Sequence, residues 1–130
     1  MEVTKDIAGE LARSHIMAFP SRYEGFPNAL AEAMAAGLPA IAFEEISGVE
    51  DLIAAGESGL IVRWGTTPGE TVKSLTEGLD QFMNSVPLRI DLWAAAKRCV
   101  IAFRPELILE RWRDLIATVT GKRGGASFEL

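Results

Sequence analysis

The stretch HIMAFPSRYEGFPNALAEAMAAGLPAIAF, residues 15–43, changes character three times. HIMAF (15–19) is a short apolar run stopped by Pro20, too brief for a helix and suited to a buried strand. Residues 21–28 carry Ser, Gly, Pro and Asn and read as a loop. A helix then opens at Pro27 or Asn28, because proline fits a first turn and asparagine caps it. It runs through ALAEAMAA and stops at Gly37, with Pro39 just beyond. PAIAF (39–43) follows as a second buried strand.

Working outward, residues 5–14 predict a short helix, with Ile7 and Leu11 four apart on one face. Downstream, a short helix near 48–55 ends at Gly56, and GLIV (59–62) is a third strand. Residues 70–84 place Val72, Leu75, Leu79 and Phe82 at helical spacing, with Gly78 costing about 1 kcal/mol against alanine. A further helix follows near 88–103. A last one starts at Pro105, with Ile108, Trp112, Leu115 and Val119 on one stripe before Gly121. Strands alternating with helices predict an α/β fold, a partial Rossmann-like three-layer domain with a short parallel sheet of about three strands and C-terminal helices. Such strands are expected to be buried on both faces. Three strands make a narrow sheet with open edges. The chain is therefore expected to be part of a larger sheet or to pair with another copy.

At 130 residues the chain is one domain at most. Its net charge of −5, without clustered Lys or Arg, argues against nucleic acid as a partner. One cysteine, Cys99, and one histidine, His15, rule out an internal disulfide and a thiolate zinc cluster. Cys99 is expected to pack as a small hydrophobe, His15 to be structural, and Trp112 to be core. Lys97 and Arg98 are expected to lie on a solvated face. Trp64, at a strand end, is kept as a candidate site residue. No apolar run could span a membrane and no signal peptide is legible, so the expected location is cytoplasmic. The domain is placed at residues 1–121, and residues 122–130 read as a flexible tail.

In open parallel sheets, ligands bind at the carboxyl ends of the strands. Ser21, Arg22, Tyr23, Glu24, Gly25 and Phe26 should lie at that end of the first strand. Gly25 lets the backbone approach a ligand closely. The next helix offers unpaired N–H groups and a positive dipole end. Glu32 stands about 7 Å further along that helix axis. Carboxylates accept hydrogen bonds, so vicinal diols of a sugar or a ribose are natural mates. Phosphate would take the N–H groups, and a site with both kinds of group suits a nucleotide-sugar. By spacing alone, a solvated surface is the favoured reading of the two glutamates, since glutamate is a good helix former and a Gly/Pro loop before a helix is common.

The string PSRYEGFPNALAEAMAAGLPAIAF followed by SGVEDLIAAGESGLIV resembles the glycosyltransferase group 1 family (family 4, GT-B fold). It is similar to the second half of that family's C-terminal donor-binding domain. The similarity covers roughly residues 5–65. Members transfer a sugar from a nucleotide-diphospho-sugar with retention of configuration, generally without a bound metal or other cofactor. Their E-x7-E motif falls on Glu24 and Glu32. The resemblance implies that Glu24 is the catalytic-site carboxylate, holding the donor sugar with the backbone of Gly25 and Phe26. Asn28 and the neighbouring N–H groups would face the diphosphate. Leu30 would line the site, and Glu32 would hold the ribose.

The family's cationic pair, first half of the donor domain and N-terminal acceptor domain are not in this sequence; Arg22 is the nearest cation. RWGTTPGE (63–70) stands where the family often has Pro-x-x-Asp. The expectation is a donor-binding fragment that does not turn over alone. Two other readings stay open: a non-catalytic interaction module that completes its sheet as a homodimer, and a glycosidase using the two glutamates. A glycosidase would need both carboxyls about 5–9 Å apart across one sugar.

Overall fold

The computed structural model describes residues 4–121; the tail expected at 122–130 lies outside the described residues. The elements are α1 (Ile7–Arg13), β1 (Met17–Phe19), α2 (Asn28–Ala35), β2 (Ala40–Phe43), α3 (Val49–Leu52), β3 (Gly59–Val62), α4 (Pro68–Asn84), α5 (Val86–Cys99) and α6 (Pro105–Thr120). A 3-10 turn, Val100–Phe103, stands where the fifth helix was expected to continue. The chain divides into two compact units at residues 100 and 101.

The first unit holds a three-stranded sheet in the order β1-β2-β3, all parallel. Met17 pairs with Ala40, Ile41 with Leu60, and Phe43 with Val62. Only the central strand meets the expectation of burial on both faces. Ala18 of β1 is exposed, and β3 is half-buried beyond Gly59, because each is an edge strand among the described residues.

Side chains alternate across a strand, so Ile41, Leu60 and Val62 share one face. On that face they pack with Leu75, Leu79 and Phe82 of α4 and with Leu88 and Leu92 of α5. Gly78 is buried where α4 crosses the sheet. A Cβ there would overlap Ile41 Cδ1 and lie 3.2 Å from Val62 Cγ1. The glycine that weakens the helical pattern in the sequence is therefore what lets the helix approach. The opposite face carries the small side chains of Ala40 and Ala42 and the ring of Phe19, all buried. Right-handed crossovers put α2 and α3 together on one side of the sheet.

Helix α2 buries Leu30, Ala33 and Met34 completely. It ends as the sequence predicted. Gly37 adopts φ 93°, the Gly37 N–H donates to Met34 O (2.9 Å), and the Leu38 N–H donates to Ala33 O (3.0 Å). This pair of bonds satisfies the last carbonyls of the helix. Helix α4 begins at Pro68, two residues before the expected start at residue 70. Thr67 and Glu70 form a reciprocal capping box with Pro68 in the first turn. Its other end is tied down by Arg89, whose guanidinium donates to Phe82 O.

Cys99 is half-buried and is the last residue of α5. Lys97 does not simply face solvent: its Nζ lies 4.1 Å from the Trp93 ring centroid. The second unit contains α6, capped at its far end by Gly121 with φ 66°. Trp112 on this helix is 59% exposed, which corrects its placement in the core. The stripe Ile108, Trp112, Leu115 and Val119 follows helical periodicity, but periodicity alone supplies no surface to bury against.

Candidate functional site

The loop 20–27 leaves the carboxyl end of β1 and enters α2 directly. Two local bonds and one from the β2–α3 loop help set its shape. Ser21 Oγ donates to Glu24 Oε1 at 2.6 Å, which holds the half-buried carboxylate. Pro27, fully buried, has φ −81° and ψ 73°, and the Asn28 N–H donates to Phe26 O at 2.9 Å. That is an inverse γ-turn, the tightest way to swing a chain into a helix. Ser47, in the β2–α3 loop, donates to Gly25 O at 3.3 Å and ties the two strand-end loops together.

These bonds decide which donors the helix offers. The Asn28 N–H is occupied by Phe26, and the Ala31 N–H bonds Pro27 O at 3.1 Å. The first-turn donors left without an intrahelical acceptor are those of Ala29 and Leu30. Asn28 is exposed at the first helical position and makes no side-chain cap bond. The Leu30 side chain is fully buried, so it supports the helix from below rather than presenting a surface. Gly25 and Phe26 are exposed at the loop tip.

Glu32 is exposed one turn further along α2. With Ile7, Ala8, Leu11, Ala35 and Ala36 it lines a groove of about 400 Å³ between α1 and α2. Glu24 is turned into its own loop by Ser21. The two carboxylates thus sit in different settings, one held by a hydroxyl and one at the rim of an apolar groove. Either can accept hydrogen bonds from a polyhydroxylated ligand.

Trp64, the tryptophan kept from the sequence, has its ring stacked on Phe43 at 3.8 Å between centroids. Its Nε1 donates to Glu44 O at 3.1 Å, and Arg22 lies over the same ring at 5.1 Å. Ser21 and Ser47 were not legible as positioning residues. Ser21 stands three before Glu24, a spacing that allows a turn bond, but Ser47 is 22 residues from Gly25 and only the fold joins them. Residues 63–70, of doubtful role in the sequence, form the last strand-end loop and the α4 cap. Among the described residues, no cluster of His, Cys, Asp and Glu could hold a metal, and no helix is long and apolar enough to cross a membrane.

Comparison with known proteins gives a consistent result. The model of the family "glycosyl transferases group 1" matches residues 2–98. The amylovoran biosynthesis glycosyltransferase AmsD of Erwinia amylovora is 34% identical over 113 residues, covering 87% of this chain and 30% of that protein. An exopolysaccharide phosphotransferase of Streptomyces coelicolor is 32% identical over 115 residues, covering 88% of this chain and 12% of that protein. The chain thus spans under a third of the length of these curated relatives. Sucrose-phosphate synthase from Thermosynechococcus elongatus, a GT-B structure, superposes with a TM-score of 0.75 at 24% identity, over 88% of this chain and 28% of that one.

Proposed function

The chain belongs to the glycosyl transferases group 1, and on that premise we propose that it is a donor-binding half-site of a retaining, family 4 glycosyltransferase. Its position is the second half of the C-terminal domain, and its ligand is a nucleotide-diphospho-sugar. Glu24 and the backbone of Gly25 and Phe26 take the hydroxyls of the transferred sugar. The N-terminus of α2, at Asn28 and the two residues after it, faces the diphosphate. Leu30 backs this turn from the core, and Glu32 takes the ribose diol. No metal or other cofactor enters the proposal, and a cytoplasmic location goes with it.

The observation that carries this reading is the loop geometry. The carboxylate of Glu24 is fixed by Ser21 at a strand's carboxyl end, immediately before the N-terminus of α2. That places an acceptor of hydroxyl hydrogens beside donors for an anion. Departure of a nucleoside diphosphate needs its growing charge stabilised. Arg22, the nearest cation, is a single guanidinium over Trp64, and it lines a cavity that does not include Glu24 or Asn28. We therefore propose that the 130-residue chain binds donor without transferring sugar. Calorimetry with UDP-sugars and GDP-sugars tests the binding, and sugar transfer by the pure chain would disprove the claim of inactivity.

A second reading is favoured by one observation. Among the described residues, β1 and β3 each pair on one side only. A non-catalytic module that completes its sheet by homodimerisation would use such an edge. A tight dimer by light scattering, together with no affinity for any nucleotide-sugar, would select it.

A further inference from the structure

A second cavity of about 310 Å³ opens where the loops after all three strands converge. Arg22 and Tyr23 come from the loop after β1, Glu45 from the loop after β2, and Trp64 from the loop after β3; Thr71 of α4 closes it. Glu24, Gly25, Phe26, Asn28 and Glu32 are not in this lining. The volume falls at the low end of small-molecule sites, about 300–1,000 Å³.

We propose that this cavity is a second carbohydrate subsite, taking a saccharide unit other than the donor sugar through Arg22 and Glu45.

Three features carry the assignment. The first is Arg22. Its guanidinium is in none of the ion pairs among the described residues, and it rests over Trp64. Trp64 is itself immobilised by Phe43 and by its bond to Glu44 O. A guanidinium on a fixed ring keeps its N–H edges for a ligand and loses little freedom on binding.

The second feature is Glu45. It has φ 60°, the single non-glycine residue with positive φ among those described. A side chain in that region is disfavoured, and such outliers concentrate at ligand-binding sites. Glu45 lines the same cavity as Arg22.

The third feature is the combination. A carboxylate lining the same cavity as the guanidinium works against phosphate or another anion as ligand. One carboxylate is too few for a metal. A donor fork, a two-oxygen acceptor and the exposed ring of Tyr23 suit a ring with hydroxyls on its edge and C–H groups on its face. That this saccharide belongs to an acceptor rests on the transferase reading above; the binding itself does not.

The test is amide and indole NMR of the full chain, titrated with methyl α-D-glucoside, methyl α-D-galactoside and methyl α-D-mannoside, and separately with inorganic phosphate and UDP. The expected result is saturable shifts at Arg22, Tyr23, Glu45 and the Trp64 indole with at least one glycoside. Arg22→Gln should weaken that binding about tenfold. Glu45→Gly should do the same while keeping the fold, since glycine is comfortable at positive φ. UDP affinity should be unchanged in both variants. Absence of shifts with every glycoside, a response to phosphate alone, or full binding in both variants would overturn the proposal. Absence of UDP binding by the unaltered chain, with glycoside binding present there and weakened in both variants, would instead count against the donor reading and support this one.

Discussion

Ser21 Oγ and Glu24 Oε1 lie 2.6 Å apart, so the hydroxyl of one loop residue sets the direction of the carboxylate three positions later. The bond does not stabilise the fold to any great extent, because both groups are only partly buried and the bond is local. Its effect is on orientation, and orientation matters only when a ligand is bound. Ser21→Ala should therefore leave the melting temperature near its wild-type value. It should weaken binding of a UDP-sugar about fivefold, while binding of UDP, which lacks the sugar, stays the same. Calorimetry with the matched pair of ligands measures the difference. An equal loss for both would mean that Glu24 does not face the sugar.

Glu32 is exposed and lines the α1–α2 groove, so its removal should not harm folding. Alanine is the better helix former by a few tenths of a kcal/mol. Glu32→Ala should keep or slightly raise stability and weaken both UDP and UDP-sugar binding about tenfold. Unaltered UDP affinity would remove the ribose assignment.

Gly78 and Ile41 test the close approach of α4 to the sheet. Gly78→Ala ought to stabilise an isolated helix by about 1 kcal/mol. In the folded protein its Cβ would overlap Ile41 Cδ1. Overpacking costs about 1–3 kcal/mol, so the net change should be destabilising. Ile41→Val removes that Cδ1 and should recover part of the loss when added to Gly78→Ala. Urea denaturation of the two single variants and the double variant measures the coupling.

Glu70 predicts a pH dependence. Its carboxylate accepts from the Thr66 hydroxyl first, then from the Thr67 and Thr66 N–H groups, and these bonds lower its pKa from 4.5. A folded pKa below the unfolded one stabilises the ionised state. The contribution is fully present above about pH 4.5 and is lost as pH falls through the lower folded value. Glu70→Gln should be less stable than wild type at pH 7, and the gap should narrow on acidification below 4.5. Denaturation midpoints across that range provide the check. A gap that stays constant would show that the charge of Glu70 plays no part in the cap.

The local signals in the sequence were strong where chemistry restricts the backbone. Gly37 followed by Pro39 marked the end of α2, and GLIV marked β3 without error at either end. The E-x7-E spacing, with the strings around it, placed the candidate site on one loop and one helix. Apolar spacing placed α4 but missed its start, because the capping box of Thr67 and Glu70 carries no apolar residue. It also placed Trp112 in a core, because a 3.6-residue period reports a stripe and not what covers it.

The sequence by itself determined the order of strands and helices, their parallel arrangement and the identity of the two glutamates. Those features depend on residues near one another in the chain, through periodicity, caps and turn chemistry. The tertiary structure alone decided that Gly78 admits Ile41, that Ser47 holds the Gly25 loop, and that Arg22, Glu45 and Trp64 meet in one cavity. Each of those joins residues at least 19 positions apart, which only the packed arrangement of strands, loops and helices brings together.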